Sequence, residues 1–136
     1  MTQENLQRWS AMNGDKVHRV TYPLTPNSII VDVGGYFGEW AETLHNKYGC
    51  YSYIFEPVNE YYEKIKDKFK DNPKIKVYKL GLSDHTGKAE IHLLEAASSL
   101  TRDIYKLAGK REVERTEIVD LIDVKDRKIL DTIKLL

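Results

Sequence analysis

Apolar residues in the first half of the chain alternate between short dense runs and stripes at helical spacing. The runs at 28–33, 51–55 and 75–82 have the β-branched and aromatic content of buried strands. Between them, 39–48 and 59–70 repeat an apolar residue every three or four positions, which predicts helices packed by one face. Strands and helices alternating at this length predict parallel pairing with right-handed crossovers. The expected fold class is α/β, a Rossmann-like doubly wound and mostly parallel sheet.

The second half of the chain has weaker patterns. The turn composition Asp-His-Thr-Gly at 84–87 leads into an apolar stretch and predicts a hairpin. Residues 112–119 alternate as a further strand, and 120–128 predict a short helix. Residues 129–136 predict a fourth parallel strand.

The N-terminal region is predicted to be a separate segment that packs on this domain. A short helix is expected over 2–13, with three apolar residues at intervals of three that would pack on the domain: Leu6, Trp9 and Met12. We therefore divide the chain into a helical and extended segment, 1–26, and an incomplete Rossmann-like cofactor-binding domain, 27–136.

A glycine turn follows the first predicted strand and suits a cationic ligand better than a phosphate. Gly34, Gly35 and Gly38 leave the backbone open to a ligand, but their spacing departs from the G-x-G-x-x-G dinucleotide pattern. Glu39, in the first helical turn, would repel a phosphate. Asp32 at the strand end and the glycine turn would instead cradle the amino-acid half of S-adenosylmethionine, which carries a sulfonium and an ammonium. The alternative is an ordinary tight turn with a solvated Asp32.

Carboxylates after the second and third strands are further candidate ligands. Glu56 lies 22 residues after Gly34, the first glycine of the turn. This is close to the offset of about 20 residues at which a carboxylate meets an adenosine ribose. Its alternative role is that of an acid at the start of the next helix. Ser83 and Asp84 end the third strand, where Asp84 would accept the adenine amine, unless it only caps the hairpin turn.

Composition excludes several classes of function. The chain has 136 residues, enough for one domain, and its 21 basic and 21 acidic residues give no net field for nucleic acid or an anionic membrane. No apolar run reaches membrane-spanning length and the N-terminus lacks signal-peptide features, so a cytoplasmic location is expected. Cys50 stands alone, which excludes an internal disulfide, and no Cys/His cluster predicts a metal site. No catalytic residue is identified, because none of the four His follows a predicted strand convincingly.

Five motifs, taken in order and spacing, resemble the FkbM-type S-adenosylmethionine-dependent methyltransferases. The likeness covers about residues 27–136, and the motifs are Val31–Gly38, Phe55–Pro57, Leu82–Gly87, Ser98–Leu100 and Leu130–Lys134. The resemblance implies a class I methyltransferase-like fold in which the glycine turn and Glu56 hold the cofactor. It also implies O-methylation of a hydroxyl on a sugar or natural product, so the expected partner is a small-molecule or saccharide acceptor.

The chain departs from the family pattern in two places. Gly35 and Tyr36 stand where members often have a small residue and an Asn. The family pattern continues beyond the segment matching 129–136, so we expect a domain truncated on its C-terminal side, with self-association through an open edge of that strand and little activity. The alternatives are a non-catalytic adenosine-ligand module and an NAD-binding oxidoreductase fragment.

Overall fold

Three parallel strands and two crossover helices form the first part of the fold. The computed structural model describes residues 2–12, 17–94, 97–99 and 115–134. The elements of this part, in chain order, are α1 (Gln3–Ala11), β1 (Ile29–Val33), α2 (Glu39–Tyr48), β2 (Tyr51–Phe55), α3 (Asn59–Lys68) and β3 (Ile75–Tyr78). The strand order is β1-β2-β3, and every neighbouring pair is parallel. The predicted α/β class and its first three strands are confirmed, although β3 ends at Tyr78 rather than at residue 82.

The two faces of this sheet are covered by different elements. On one face, Ile54 of β2 packs in a cluster with Leu44 of α2 and Ile65 of α3. On the other face, Tyr53 and Phe55 are also buried but belong to a separate cluster. Burial on both faces explains the unbroken apolar run of β2. The arrangement is compatible with the Rossmann-like fold that the pattern predicts.

A second, mixed sheet follows the parallel one. Its strands are β4 (Gly81–Ser83), β5 (Gly87–Leu94), β6 (Ala97–Ser99) and β7 (Arg115–Asp123), in the order β4-β7-β5-β6. β7 is parallel to β4 and antiparallel to β5. The further strand predicted at 112–119 is thus present, with its described part beginning at Arg115 and continuing to Asp123.

The hairpin predicted across 84–87 is wrong, because β4 and β5 lie on opposite sides of β7. The turn at 84–86 passes over the end of β7, where the Thr86 hydroxyl accepts a hydrogen bond from the Asp123 N–H at 3.0 Å. Alternate residues of β5 and β7, among them Ile91 and Val119, pack into one buried cluster. The longer β7 supplies more apolar contact and pairing than the short β4 would.

The C-terminal prediction is also wrong, because 127–134 form helix α4 (Arg127–Lys134) rather than a strand. The Asp126 carboxylate accepts from the Lys128 N–H at 2.8 Å and starts the helix as an N-cap. Ile129 is buried against the cluster of Tyr53 and Phe55. The helix predicted at 120–128 is not found at those residues, because 120–123 belong to β7 and the helix begins only at Arg127.

The N-terminal helix does not pack as predicted. Leu6 and Met12 are 54% and 61% exposed, so no apolar stripe of α1 is buried there, and the side chain of Trp9 lies outside the described residues. Thr2 caps the helix by accepting from the Asn5 N–H at 3.2 Å. The following segment, not α1, reaches the domain, because Val20 packs against the core cluster of the first sheet.

β1 has an open outer edge in the described part of the chain. It pairs with β2 on one side, and no described strand pairs with its other side. Three of its apolar residues are exposed, Ile29 and Val31 at 37% and Val33 at 59%. An exposed strand edge therefore lies at β1, whereas self-association was expected at 129–136, whose described residues are helical.

Candidate functional site

The turn from β1 to α2 has the conformation that its glycines permit. Gly34 and Gly38 have φ of +78° and +76°, and Tyr36 between them has φ of +52°, which is uncommon for a residue with a side chain. Gly35 is required for a different reason: a Cβ atom there would lie 2.2 Å from Cγ2 of Ile54. The turn is therefore pressed against β2, and its backbone is held close to the end of β1.

Asp32 places an incompletely satisfied carboxylate at this turn. Its Oδ2 atom is buried and has no hydrogen-bond partner among the described residues. Burial raises the pKa of Asp32 above its ordinary value. A carboxylate in this condition gains more from a nearby cation than a solvated one does, since no protein donor already satisfies that oxygen.

An open cavity of about 890 Å³ lies over the turn and the end of β1. This volume lies in the range of small-molecule sites. Its described lining includes Asp32, Gly34 and Gly35 from the predicted set, and Glu39 from the first turn of α2. Three aromatic residues also line it, namely Tyr36, Phe37 and Trp40. Carboxylates and aromatic faces together favour a ligand that carries positive charge.

Gly38, the remaining glycine of the predicted set, stabilises the conformation of the turn. Gly38 is buried and is the residue before α2, and its N–H donates to the Gly35 carbonyl at 2.7 Å. A Cβ atom at Gly38 would lie 2.8 Å from the Phe69 ring. Gly38 therefore shapes the turn, while Gly34 and Gly35 line the cavity.

Glu56 is buried beside the turn and is occupied by backbone donors. It is 4% exposed. Its Oε2 accepts from the Tyr36 N–H at 2.8 Å, and its Oε1 accepts from the Val58 N–H at 2.9 Å. Burial raises the pKa of Glu56 and outweighs these two hydrogen bonds, which lower it. Glu56 is not in the cavity lining, so its geometry matches the alternative role at the start of α3, and the ribose role stays a prediction.

Ser83 and Asp84 are not brought to the cavity. Asp84 follows β4 with its side chain 95% exposed, and its carboxylate lies 2.8 Å from Nδ1 of His85. The hydrogen bond from His85 lowers the pKa of Asp84, with a smaller contribution from the Ser83 hydroxyl at 3.3 Å. These contacts are those of a solvated turn. The adenine role of both residues therefore remains a prediction without support from their position.

The cavity also contains residues that the sequence did not predict. Arg19 and Val20 line it from the segment before β1. The Trp40 indole N–H donates to the Arg19 carbonyl at 2.7 Å, which holds that segment on α2. No local motif marks this contact, since the two residues are 21 positions apart. The signal in the sequence is Trp40, a large aromatic residue in the first turn of the helix and on the same apolar face as Leu44 and Tyr48.

Comparisons with known proteins identify no relative of this chain. No family model, no curated protein and no solved structure matches this chain. Within the described ranges, no helix is long and apolar enough to cross a membrane. The same ranges contain no group of three or more His, Cys, Asp or Glu side chains placed to hold a metal ion.

Proposed function

We propose that this chain binds S-adenosylmethionine and belongs to an enzyme that methylates a hydroxyl oxygen of a small molecule or saccharide. The observation that carries the proposal is the Asp32 carboxylate, with one buried and unpartnered oxygen, at the edge of a cavity over a glycine turn. The motifs that resemble the FkbM-type methyltransferases support the same cofactor.

The residues around the cavity fit a cationic cofactor. When bound, S-adenosylmethionine supplies an electrophilic methyl group on a positively charged sulfur. Asp32 and Glu39 would balance the positive charges, and the backbone at Gly34 and Gly35 leaves room beside the strand end. The chain's contribution would be to position donor and acceptor and to exclude water. We assign no general base, because no His lines the described cavity.

The same residues fit a dinucleotide poorly. A pyrophosphate at this turn would approach Asp32 and Glu39, both of which line the cavity. Like charges in a partly buried site are costly, and dinucleotide turns offer bare N–H groups instead. The NAD alternative is therefore disfavoured, while a non-catalytic adenosine-ligand module remains distinguishable by activity.

The test is calorimetric titration of the purified chain with S-adenosylmethionine, S-adenosylhomocysteine and NAD. We expect S-adenosylmethionine to bind severalfold more tightly than S-adenosylhomocysteine, because only the former has a sulfonium, and Asp32→Asn should reduce this preference. Transfer of a labelled methyl group to hydroxylated acceptors is then measured. Binding without transfer would support a non-catalytic module, and preferential binding of NAD would refute the proposal.

A further inference from the structure

A groove of about 380 Å³ lies between α3, the turn that follows this helix, and β3. It has no described lining residue in common with the cavity over the glycine turn. Apolar and aromatic side chains form much of its surface, and its described lining includes three lysines, Lys66, Lys70 and Lys76, but no carboxylate. The groove therefore combines apolar surface with positive charge.

The strand along this groove is an edge strand in the described part of the chain. β3 pairs with β2 on one side, and no described strand pairs with its other side. The Tyr78 carbonyl faces β2, because it accepts from the Glu56 N–H at 3.0 Å. Adjacent residues of a parallel strand direct their backbone groups to opposite sides, so the N–H and C=O groups of Val77 point outward. The edge of β3 can therefore pair with one more strand.

The two faces of β3 differ in character. Ile75 and Val77 pack in the cluster that contains Ile65 of α3. Lys76, between them, points to the opposite face and is exposed. A strand added at this edge would place alternate side chains beside these two surfaces. Apolar residues of the added strand would therefore lie towards α3, and acidic residues on its other face would meet the Lys76 ammonium.

The lysines around the groove make only weak interactions with described residues. Lys70 lies 3.9 Å from the Asp67 carboxylate, and both side chains are exposed. Lys66 lies over the Tyr62 ring, 5.7 Å from its centroid. Exposed pairs of this kind contribute little free energy. Pairing of two copies of this edge is disfavoured, because it would bring Lys76 ammonium groups together, whereas a strand with carboxylates is favoured.

We propose that the edge of β3 binds an extended acidic segment of a partner protein by β-strand addition. The main-chain groups of Val77 would supply backbone hydrogen bonds, and the surfaces on the two faces of the strand would select alternating apolar and acidic side chains. The three lysines would favour this partner over a neutral or basic one. The inference is independent of the proposed function, since the cavity over the glycine turn takes no part in it.

The experiment uses a fluorescein-labelled octapeptide in which valine and glutamate alternate. Fluorescence anisotropy measures its binding to the natural chain, in parallel with an alternating valine–lysine peptide. We expect the acidic peptide to bind at least about 10-fold more tightly and to weaken as salt is added. Lys76→Gln should weaken it about 2- to 5-fold, the range for one exposed ion pair. Lys125→Gln, at an exposed lysine outside the described groove lining, is the matched control and should leave the affinity unchanged.

Two further measurements separate strand addition from attraction between charges alone. A valine–glutamate peptide with N-methylated backbone amides keeps the charges but loses the hydrogen bonds, and it should bind far more weakly. Hydrogen exchange followed by NMR should show the Val77 amide protected by the unmodified peptide. Equal binding of both peptides, or an unprotected Val77 amide, would show an anion-binding surface only and overturn the proposal. Failure of the acidic peptide to bind would also overturn it, with circular dichroism confirming that the chain is folded.

Discussion

Asp32 is the residue at which binding and stability are expected to oppose each other. Its folded pKa lies above its ordinary value of about 3.8 because of burial. The folded state therefore holds this proton more tightly than the unfolded state does. The resulting stabilisation is fully present below the unfolded pKa and is lost as the pH rises through the folded pKa. At neutral pH the ionised carboxylate lowers the free energy of unfolding, and a bound cation would offset this loss.

We predict that Asp32→Asn raises the free energy of unfolding at pH 7 by about 1 kcal/mol, because it removes a poorly solvated charge. The gain should shrink as the pH falls below the folded pKa of Asp32. Urea unfolding at several pH values between 3 and 8 measures both effects. Asp131→Asn removes an exposed carboxylate on α4 and is the matched control. A destabilising effect of Asp32→Asn at neutral pH would show that the carboxylate already has a stabilising partner.

Gly34→Ala and Gly35→Ala are both predicted to lower the free energy of unfolding, but for different physical reasons. Gly34→Ala meets no atom within 4 Å, so its cost is that of the left-handed conformation alone, about 1–2 kcal/mol. Gly35→Ala has no such conformational cost but overlaps Cγ2 of the fully buried Ile54. The overlap should be relieved in part by Ile54→Ala. A double-mutant cycle on unfolding free energies should therefore give a coupling at Gly35 and none at Gly34.

The sequence could bring candidate site residues together only where they are neighbours in the chain. Asp32, Gly34 and Gly35 share one turn, and this turn lines the cavity. Their ligand roles stay predictions. Arg19 could not be found this way, because it reaches the cavity through a tertiary contact with Trp40. Asp84 does not line the cavity for a related reason: the end of its strand lies in the second sheet rather than beside β1.

At the scale of elements, Glu56 connects two strand-to-helix turns. One carboxylate oxygen holds the turn after β1 and the other holds the start of α3. We predict that Glu56→Ala destabilises the chain by about 1–3 kcal/mol for each backbone N–H left without an acceptor. Glu56→Gln keeps one acceptor oxygen and should fall between this variant and the natural chain.

Chemical unfolding of the two Glu56 variants measures this, with Asp84→Ala as the exposed-carboxylate control. Titration with S-adenosylhomocysteine distinguishes the two roles of Glu56. A variant that unfolds like the natural chain but no longer binds the ligand would contradict the structural role and support the ribose role.

The elements that were predicted correctly are those determined by neighbouring residues. The runs of β1 and β2 and the stripes of α2 and α3 are local patterns, and each appears in the structure close to its predicted bounds. The pairing of β7 between β4 and β5 joins distant segments, which no local pattern specifies. At 129–136 the apolar residues Ile129, Leu130 and Ile133 also fit a helical period, so the density of apolar residues does not distinguish a strand from a helix there.

At the scale of the whole molecule, the open edge of β1 is predicted to drive self-association. A parallel strand with exposed Ile29, Val31 and Val33 offers unpaired backbone groups beside apolar side chains. Light scattering over a range of chain concentrations should show an increasing molar mass. Ile29→Lys places a charge at this edge, outside the described cavity lining, and should reduce the association. Ile118→Lys, at an exposed position of the inner strand β7, is the control, and equal reduction by both would show that the edge of β1 is not the contact.

The position of β7 sets an order of events while the chain is being synthesised. β4 and β5 leave the ribosome before β7 exists, yet both need it as their pairing partner. Until then, Ile91 and Leu93 lack the side chains of Val119 and Leu121 that bury them. The parallel half has sequence-local crossovers and can form early, whereas the second sheet must wait for strands that are distant along the chain to meet. The nascent chain therefore has a period in which half of its fold is complete and the other half exposes apolar strands to chaperones and to neighbouring chains.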